Sequence, residues 1–378
     1  MKICLLSNAL AVHTQRWGRA YAERGHEVHL FSIRSDTIPG VKVHTVCIGP
    51  VNSRSKCWTF LSYLRLMLSF RRRLKNLRPD ILHAQYTVTH GVIAAFSRFH
   101  PRVVSCWGSD VIWEKPGRMP WFFRYLNRVA LKNADLVCST SLFMTNVASQ
   151  FVHPNKSIEQ IPFGVDCDRF KPAQSENSCK GEGVFRCGFV KTFATKYGPE
   201  TLIRAMSQVV EVIPDGRLVM AGRGPLKERL KTLVRQLGLD EHVEFVGFIP
   251  NDQVPRLLQT FDAFVNCSTS ESFGVAILEA SACGLPVVVT KVGGVSEVCL
   301  AGRTGIMVEP NNSKELAQAL IRLAKDRALR EKMGLAGRKF VLENYIWRDN
   351  VDKMLTLMEG MLFKSVKKCQ SKNVALEK

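Results

Sequence analysis

The chain has 378 residues, 46% hydrophobic and 23% charged, with a formal net charge of +20 at pH 7. That length holds two domains with separate cores, and the composition excludes disordered and collagen-like chains. Its twelve cysteines form no C-x-x-C pair and no zinc-like cluster, which argues against a disulfide framework or metal finger and for reduced thiols.

Met1–Ser7 is too short for a signal-peptide core, and no window approaches the roughly 18 apolar residues of a spanning helix. The expectation is a cytoplasmic protein, free to touch the cytoplasmic face of a membrane. The charge is uneven. Residues 1–170 carry 23 Lys and Arg against 10 Asp and Glu, so the first half favours anionic partners.

In chain order, Lys2–Ser7 reads as a buried strand, Gln15–Arg24 as an amphipathic helix stopped by Gly25, and His26–Ile33 as the next strand. This β-α-β opening predicts a parallel, doubly wound sheet. Further strands are expected at Val41–Ile48, Ile81–Ala84, Arg102–Cys106, Ala134–Cys138 and Ile158–Ile161, with a long helix over Trp58–Leu77. His83 ends a strand at the sheet's carboxyl edge, where α/β ligands sit, although a lone histidine there is more often structural. Asp110, in Trp107-Gly-Ser-Asp110, either orients a ligand or holds its own turn by accepting backbone N–H bonds.

The alternation restarts after residues 173–182, which read as an exposed connection. Strands are expected at Val184–Val190, Arg217–Ala221, Val243–Val246, Asp262–Cys267, Pro286–Thr290 and Gly305–Val308. Helices are expected at Thr201–Val212, Pro225–Leu237, Asp252–Thr260, Phe273–Cys283 and Ser313–Asp326. Ser272 is the expected N-cap of the helix carrying Glu279, and Gly284-Leu-Pro286 its stop. Backbone N–H groups around Phe273, Gly274 and Val275 would face an anion placed at that helix start. An apolar stripe on Trp347–Met358 suits packing, and the basic tail 365–378 is expected to fray.

Glu271-Ser-Phe-Gly-Val-Ala-Ile-Leu-Glu279, with Gly284-Leu-Pro286 and Gly293-Gly-Val-Ser-Glu297, resembles the donor-site signature of retaining family-4 glycosyltransferases, the E-x7-E group with the GT-B fold. The run from His13 to Ser32 and Pro162-Phe-Gly-Val-Asp166 extend the resemblance over most of the chain. It implies an α/β protein of two Rossmann-like domains facing a central cleft. Residues 1–172 would take the acceptor and 183–345 the donor, and 346–364 would form a helix crossing back to the first domain.

The resemblance also assigns residues. Glu279 would hold ribose hydroxyls and Glu271 sugar hydroxyls. Lys191 and Lys196 would hold the diphosphate, preplaced cations stabilising the leaving charge without a metal. Gly222 lies in the loop near the nucleotide, and Phe248 and Ile249 near the base. Many relatives have a histidine where Trp107 stands and a glycine pair where Ala9–Val12 stands. The implied co-substrate is a nucleoside diphosphate sugar, with no cofactor and no metal. Asp166-x-Asp168 has a metal-binding spacing but falls in the linker segment.

The implied reaction is transfer of a hexose, with retention, to an acceptor that is lipid-linked or a cell-surface glycan precursor. A nucleotide-sugar epimerase on the same architecture stays open, as does a basic nucleic-acid-binding protein, which would need stacking aromatics in its basic face and no sugar site. Between Asp36 and Asp80 there is no acidic residue and nine basic ones. Within it, Trp58 and the cluster Arg71, Arg72, Arg73 and Lys75 suit an interfacial helix against an anionic membrane surface; a packed helix with a solvated basic end is the competing reading.

Overall fold

The computed structural model describes residues 1–46, 56–113, 119–173 and 184–376, with 56–64 and 365–376 described as backbone only. The chain folds as two compact units, Met1–Pro162 with Asp349 onward, and Phe163–Arg348. Each unit is built on one all-parallel sheet, and its central strands are apolar runs, whereas the edge strands β3 (Val41–Thr45) and β7 (Ile158–Gln160) are more polar and part-exposed.

In the first unit β1 (Lys2–Leu6), β2 (Glu27–Ser32), β3 (Val41–Thr45), β4 (Ile81–Gln85), β5 (Arg102–Cys106), β6 (Leu136–Ser139) and β7 (Ile158–Gln160) lie in the order β3-β2-β1-β4-β5-β6-β7. Every residue of β4 and β5 is buried. The strand order reverses at β1, so the β1–β4 boundary is the switch point at which doubly wound sheets open a crevice.

In the second unit β8 (Arg186–Val190), β9 (Arg217–Ala221), β10 (Val243–Gly247), β11 (Ala263–Asn266), β12 (Val287–Thr290) and β13 (Gly305–Val308) lie in the order β10-β9-β8-β11-β12-β13. Here the switch falls between β8 and β11. The carboxyl ends of those strands lead into Lys191 and into the loop carrying Glu271.

The break between the units falls at Pro162, ten residues before the expected boundary at 172. Backbone bonds explain the shift. Val165 N–H donates to Tyr345 O (2.7 Å), Trp347 N–H donates to Val165 O (2.9 Å), and Gln259 Nε2 donates to Lys171 O (2.8 Å). The segment 163–172 is thereby tied into the second unit.

The last helix spans Trp347–Leu376, so the helix expected to end at 364 continues through the stretch expected to fray. From Asp349 onward it belongs to the first unit. Val351, Met354, Leu355 and Met358 are buried along one stripe, Arg24 Nε donates to Asp352 Oδ1 at 2.6 Å, and Lys353 Nζ donates to Gln160 O at 3.0 Å. Among the described residues no helix is long and apolar enough to cross a membrane.

Candidate active site

At the switch point of the second sheet, the loop after β11 is fastened to the loops after β8 and β12. Thr269 N–H donates to Lys196 O at 2.7 Å, and Gly294 N–H donates to Glu271 O at 3.1 Å. Lys191 Nζ forms an ion pair with Glu271 Oε2, each side chain only about one-eighth exposed (12% and 13%). Tyr197 lies under both lysines, its ring centre 4.7 Å from Lys191 Nζ and 4.9 Å from Lys196 Nζ. Each cation is attracted by the ring's π-electrons, which offsets part of the repulsion between the two lysines. The structure thus brings Lys191, Lys196 and Glu271 into one cluster.

The glycine at position 222 is required by that cluster. It has φ +151°, and a Cβ there would overlap the Lys191 carbonyl oxygen. Arg223 beside it stacks its guanidinium 4.7 Å from the centre of the Phe248 ring, which is itself 59% exposed. Ile249 is half-buried next to it. An exposed aromatic backed by a cation offers a flat stacking surface.

The helix bearing Glu279 spans Val275–Ala282, and its cap is Gly274 rather than Ser272. Gly274 takes φ +101°, a left-handed turn that a serine cap in extended conformation does not provide, so the helix begins later than expected at Phe273. Phe273 is buried against Tyr345, their ring centres 5.7 Å apart, which fixes the loop between the two glutamates. Glu279 is half-buried on the helix. Gly284 at φ +76° ends it, with Leu285 N–H reaching back to Ala280 O at 3.1 Å.

Asp110 lies in the first unit and is turned inward, 6% exposed. Its Oδ1 accepts from Gly108 N–H (2.7 Å) and Trp107 N–H (3.1 Å), and its Oδ2 from Thr87 N–H (3.1 Å). Burial raises the carboxyl above the usual range against these backbone donors. Both oxygens thus serve the loop's own backbone. His83 is fully buried between Ser105 Oγ (2.8 Å) and Tyr21 OH (3.3 Å), and burial lowers its pKa to about 3.

Asp166 Oδ1 accepts from the N–H groups of Asp168 and Arg169, both at 3.2 Å, and Asp168 faces Arg348. The Asp166-x-Asp168 spacing is that of a turn. Arg71, Arg72, Arg73 and Lys75 are all exposed on the helix Lys56–Leu77, while the Trp58 side chain lies outside the described residues. The sequence reading missed a second surface. On the helix Trp121–Lys132, Trp121 (78% exposed), Tyr125, Arg128 and Lys132 share one face. The pattern i, i+4, i+7, i+11 was the available signal.

Two family models match the chain: Glycosyl transferase 4-like over residues 2–141, and Glycosyl transferases group 1 over residues 171–340. A GDP-mannose-dependent alpha-(1-6)-phosphatidylinositol monomannoside mannosyltransferase of Mycolicibacterium smegmatis is 31% identical over 307 residues, 76% of this chain and 79% of that protein. The chain belongs to the group 1 glycosyl transferases. Solved structures agree on its fold. Sucrose-phosphate synthase from Thermosynechococcus elongatus superposes with TM-score 0.83 at 23% identity, covering 97% of this chain and all of that one. Anabaena HepE in complex with UDP-glucose superposes with TM-score 0.76 at 20% identity, covering 95% and 100%. This glycosyl transferase therefore has the GT-B fold, and its E-x7-E pair sits on the group 1 half.

Proposed function

We propose that the protein transfers a hexose from a nucleoside diphosphate sugar to a lipid-linked or cell-surface glycan acceptor, with retention of configuration and without a metal. The observation that carries this reading is the convergence of Lys191, Lys196 and Glu271 at the carboxyl edge of β8 and β11. Two cations beside a carboxylate match a diphosphate joined to a hydroxyl-bearing ring. As the diphosphate departs, charge grows on the oxygen it keeps, and preplaced ammonium groups stabilise it in a site with little water. Glu271 orients the sugar, Glu279 the ribose, and the Phe248–Arg223 stack takes the base. Attack from the face the diphosphate leaves passes through an oxocarbenium-like state, in which orientation supplies much of the rate.

The first unit receives the acceptor. A lipid acceptor is supported by the relative named for phosphatidylinositol monomannoside and by two described helices that expose cations, Arg71–Lys75 and Arg128 with Lys132. Each cation near an anionic leaflet contributes about 1 kcal/mol, and Trp121 and Tyr125 suit the headgroup layer.

A thermal-shift panel of nucleotide sugars, followed by transfer of labelled sugar to membrane lipid extract, tests the reading. One donor should raise the melting temperature and its sugar should appear on an extract lipid. Donor turnover without any acceptor would favour an epimerase, and no response to any nucleotide sugar would end the assignment.

A further inference from the structure

The two groups that a donor must recruit are engaged with each other before it arrives. Lys191 Nζ donates to Glu271, and each side chain keeps only about one-eighth of its surface open to solvent. Among the described residues the other polar neighbour of the Glu271 carboxylate is Ser268, whose Oγ lies 3.5 Å from Oε2. That hydroxyl has one proton, and its shorter bond, 2.6 Å, goes to Asn266 Oδ1. Glu271 therefore depends on Lys191 for its compensation, and a nearly buried carboxylate stripped of its partner is costly.

Resting on the donor-site reading above, we infer that Glu271 sets the selectivity of this enzyme for the nucleoside diphosphate sugar against the nucleoside diphosphate it becomes. A diphosphate that draws Lys191 toward itself leaves the carboxylate uncovered. If a sugar is attached, its hydroxyls donate to that carboxylate and the loss is made good. If the sugar has gone, only water takes its place, and it compensates the carboxylate less well than Lys191 did. The terminal phosphate then also carries roughly one more negative charge, because a freed terminal phosphate, like a phosphate monoester, ionises a second time near pH 6. One additional like charge a few ångströms away at this depth costs roughly tenfold or more in affinity. Cleavage of the donor thus switches the contact from favourable to repulsive, and the product is expelled from the site that made it. Product release limits turnover in many transferring enzymes, so this repulsion has kinetic value.

The test uses the full chain and two probe pairs, UDP with UDP-glucose and GDP with GDP-mannose, titrated by calorimetry. Glu271→Gln keeps the shape and removes the charge. For the pair that the wild type binds, the nucleoside diphosphate should bind Glu271→Gln roughly tenfold more tightly, about 1.4 kcal/mol. The nucleotide sugar should bind roughly tenfold more weakly. Glu271→Ala should show the same tightening toward the diphosphate, which keeps the test open if the glutamine variant misfolds. Lys191→Met should weaken both ligands. Unchanged or weaker binding of the diphosphate to both Glu271 variants overturns the inference while leaving the donor site standing. If the wild type binds neither pair, the pair picked out by the thermal-shift panel takes their place, and a wild type that binds no nucleotide sugar of that panel removes the donor-site reading itself, and this inference with it.

Discussion

Replacing His83 should change the acid stability of the first unit by about one proton. The imidazole is fully buried under Trp17 and Tyr21, and burial lowers its pKa from 6.5 to about 3. The fold thus holds it neutral, while the unfolded chain protonates it near 6.5. A depressed folded value means that its contribution is complete above pH 6.5 and is lost as the pH falls toward 3. Between pH 7 and pH 5 the unfolded state gains about 2 kcal/mol from this one group, with a limiting slope of about 1.4 kcal/mol per pH unit. That is a sizeable part of the 5–15 kcal/mol typical of a domain. Urea unfolding followed by tryptophan fluorescence reads it, because five of the six tryptophans (Trp17, Trp58, Trp107, Trp113 and Trp121) lie in the first unit. His83→Gln should be less stable at pH 7, through loss of fit with Ser105 and Tyr21, yet lose about 2 kcal/mol less than wild type between pH 7 and 5. Parallel pH profiles for the two proteins would refute the reasoning, since His83 would then bind protons equally in both states.

Asp110→Ala leaves the N–H groups of Thr87, Trp107 and Gly108 without their acceptor, and should cost about 3 kcal/mol, or roughly 10 °C in the melting temperature of the first unit. Gly222→Ala drives a Cβ into the Lys191 carbonyl and should cut transfer at least tenfold with a smaller loss of nucleotide binding by the rest of the site, read as a fall in kcat. Activity should survive EDTA, and loss restored by manganese would reopen the Asp166 and Asp168 pair. Changing Arg71, Arg72 and Arg73 to Gln should weaken cosedimentation with anionic vesicles and flatten its salt dependence.

Strand positions were legible because most strands are short apolar runs between turn residues, and the thirteen strands among the described residues fall at the expected positions. The Glu271 loop was legible too, as a motif. What escaped was anything set by strand order. Lys191 and Glu271 are 80 residues apart, and only the adjacency of β8 and β11 makes them partners. The cap at Gly274 escaped because serine preference outweighed a left-handed turn that only the packed loop reveals. The helix Arg327–Asn344 went unread because Gly334 and Gly337, both buried, weaken the helical signal on the face that packs. The aromatic face at Trp121 was visible in spacing but carries no motif.

The passage of the second unit through the middle of the first has a consequence for synthesis. Residues 163–348 leave the ribosome before the helical stripe of Val351, Met354, Leu355 and Met358 that the first unit buries. At roughly 5–20 residues per second, the nascent first unit waits on the order of 10–40 s with that apolar groove uncovered. The second unit can begin folding in this interval, whereas the first can close only once residues 351–358 have emerged. Expression yield should therefore respond more to chaperone capacity and to the speed of reading codons 163–348 than the stability of the finished protein suggests.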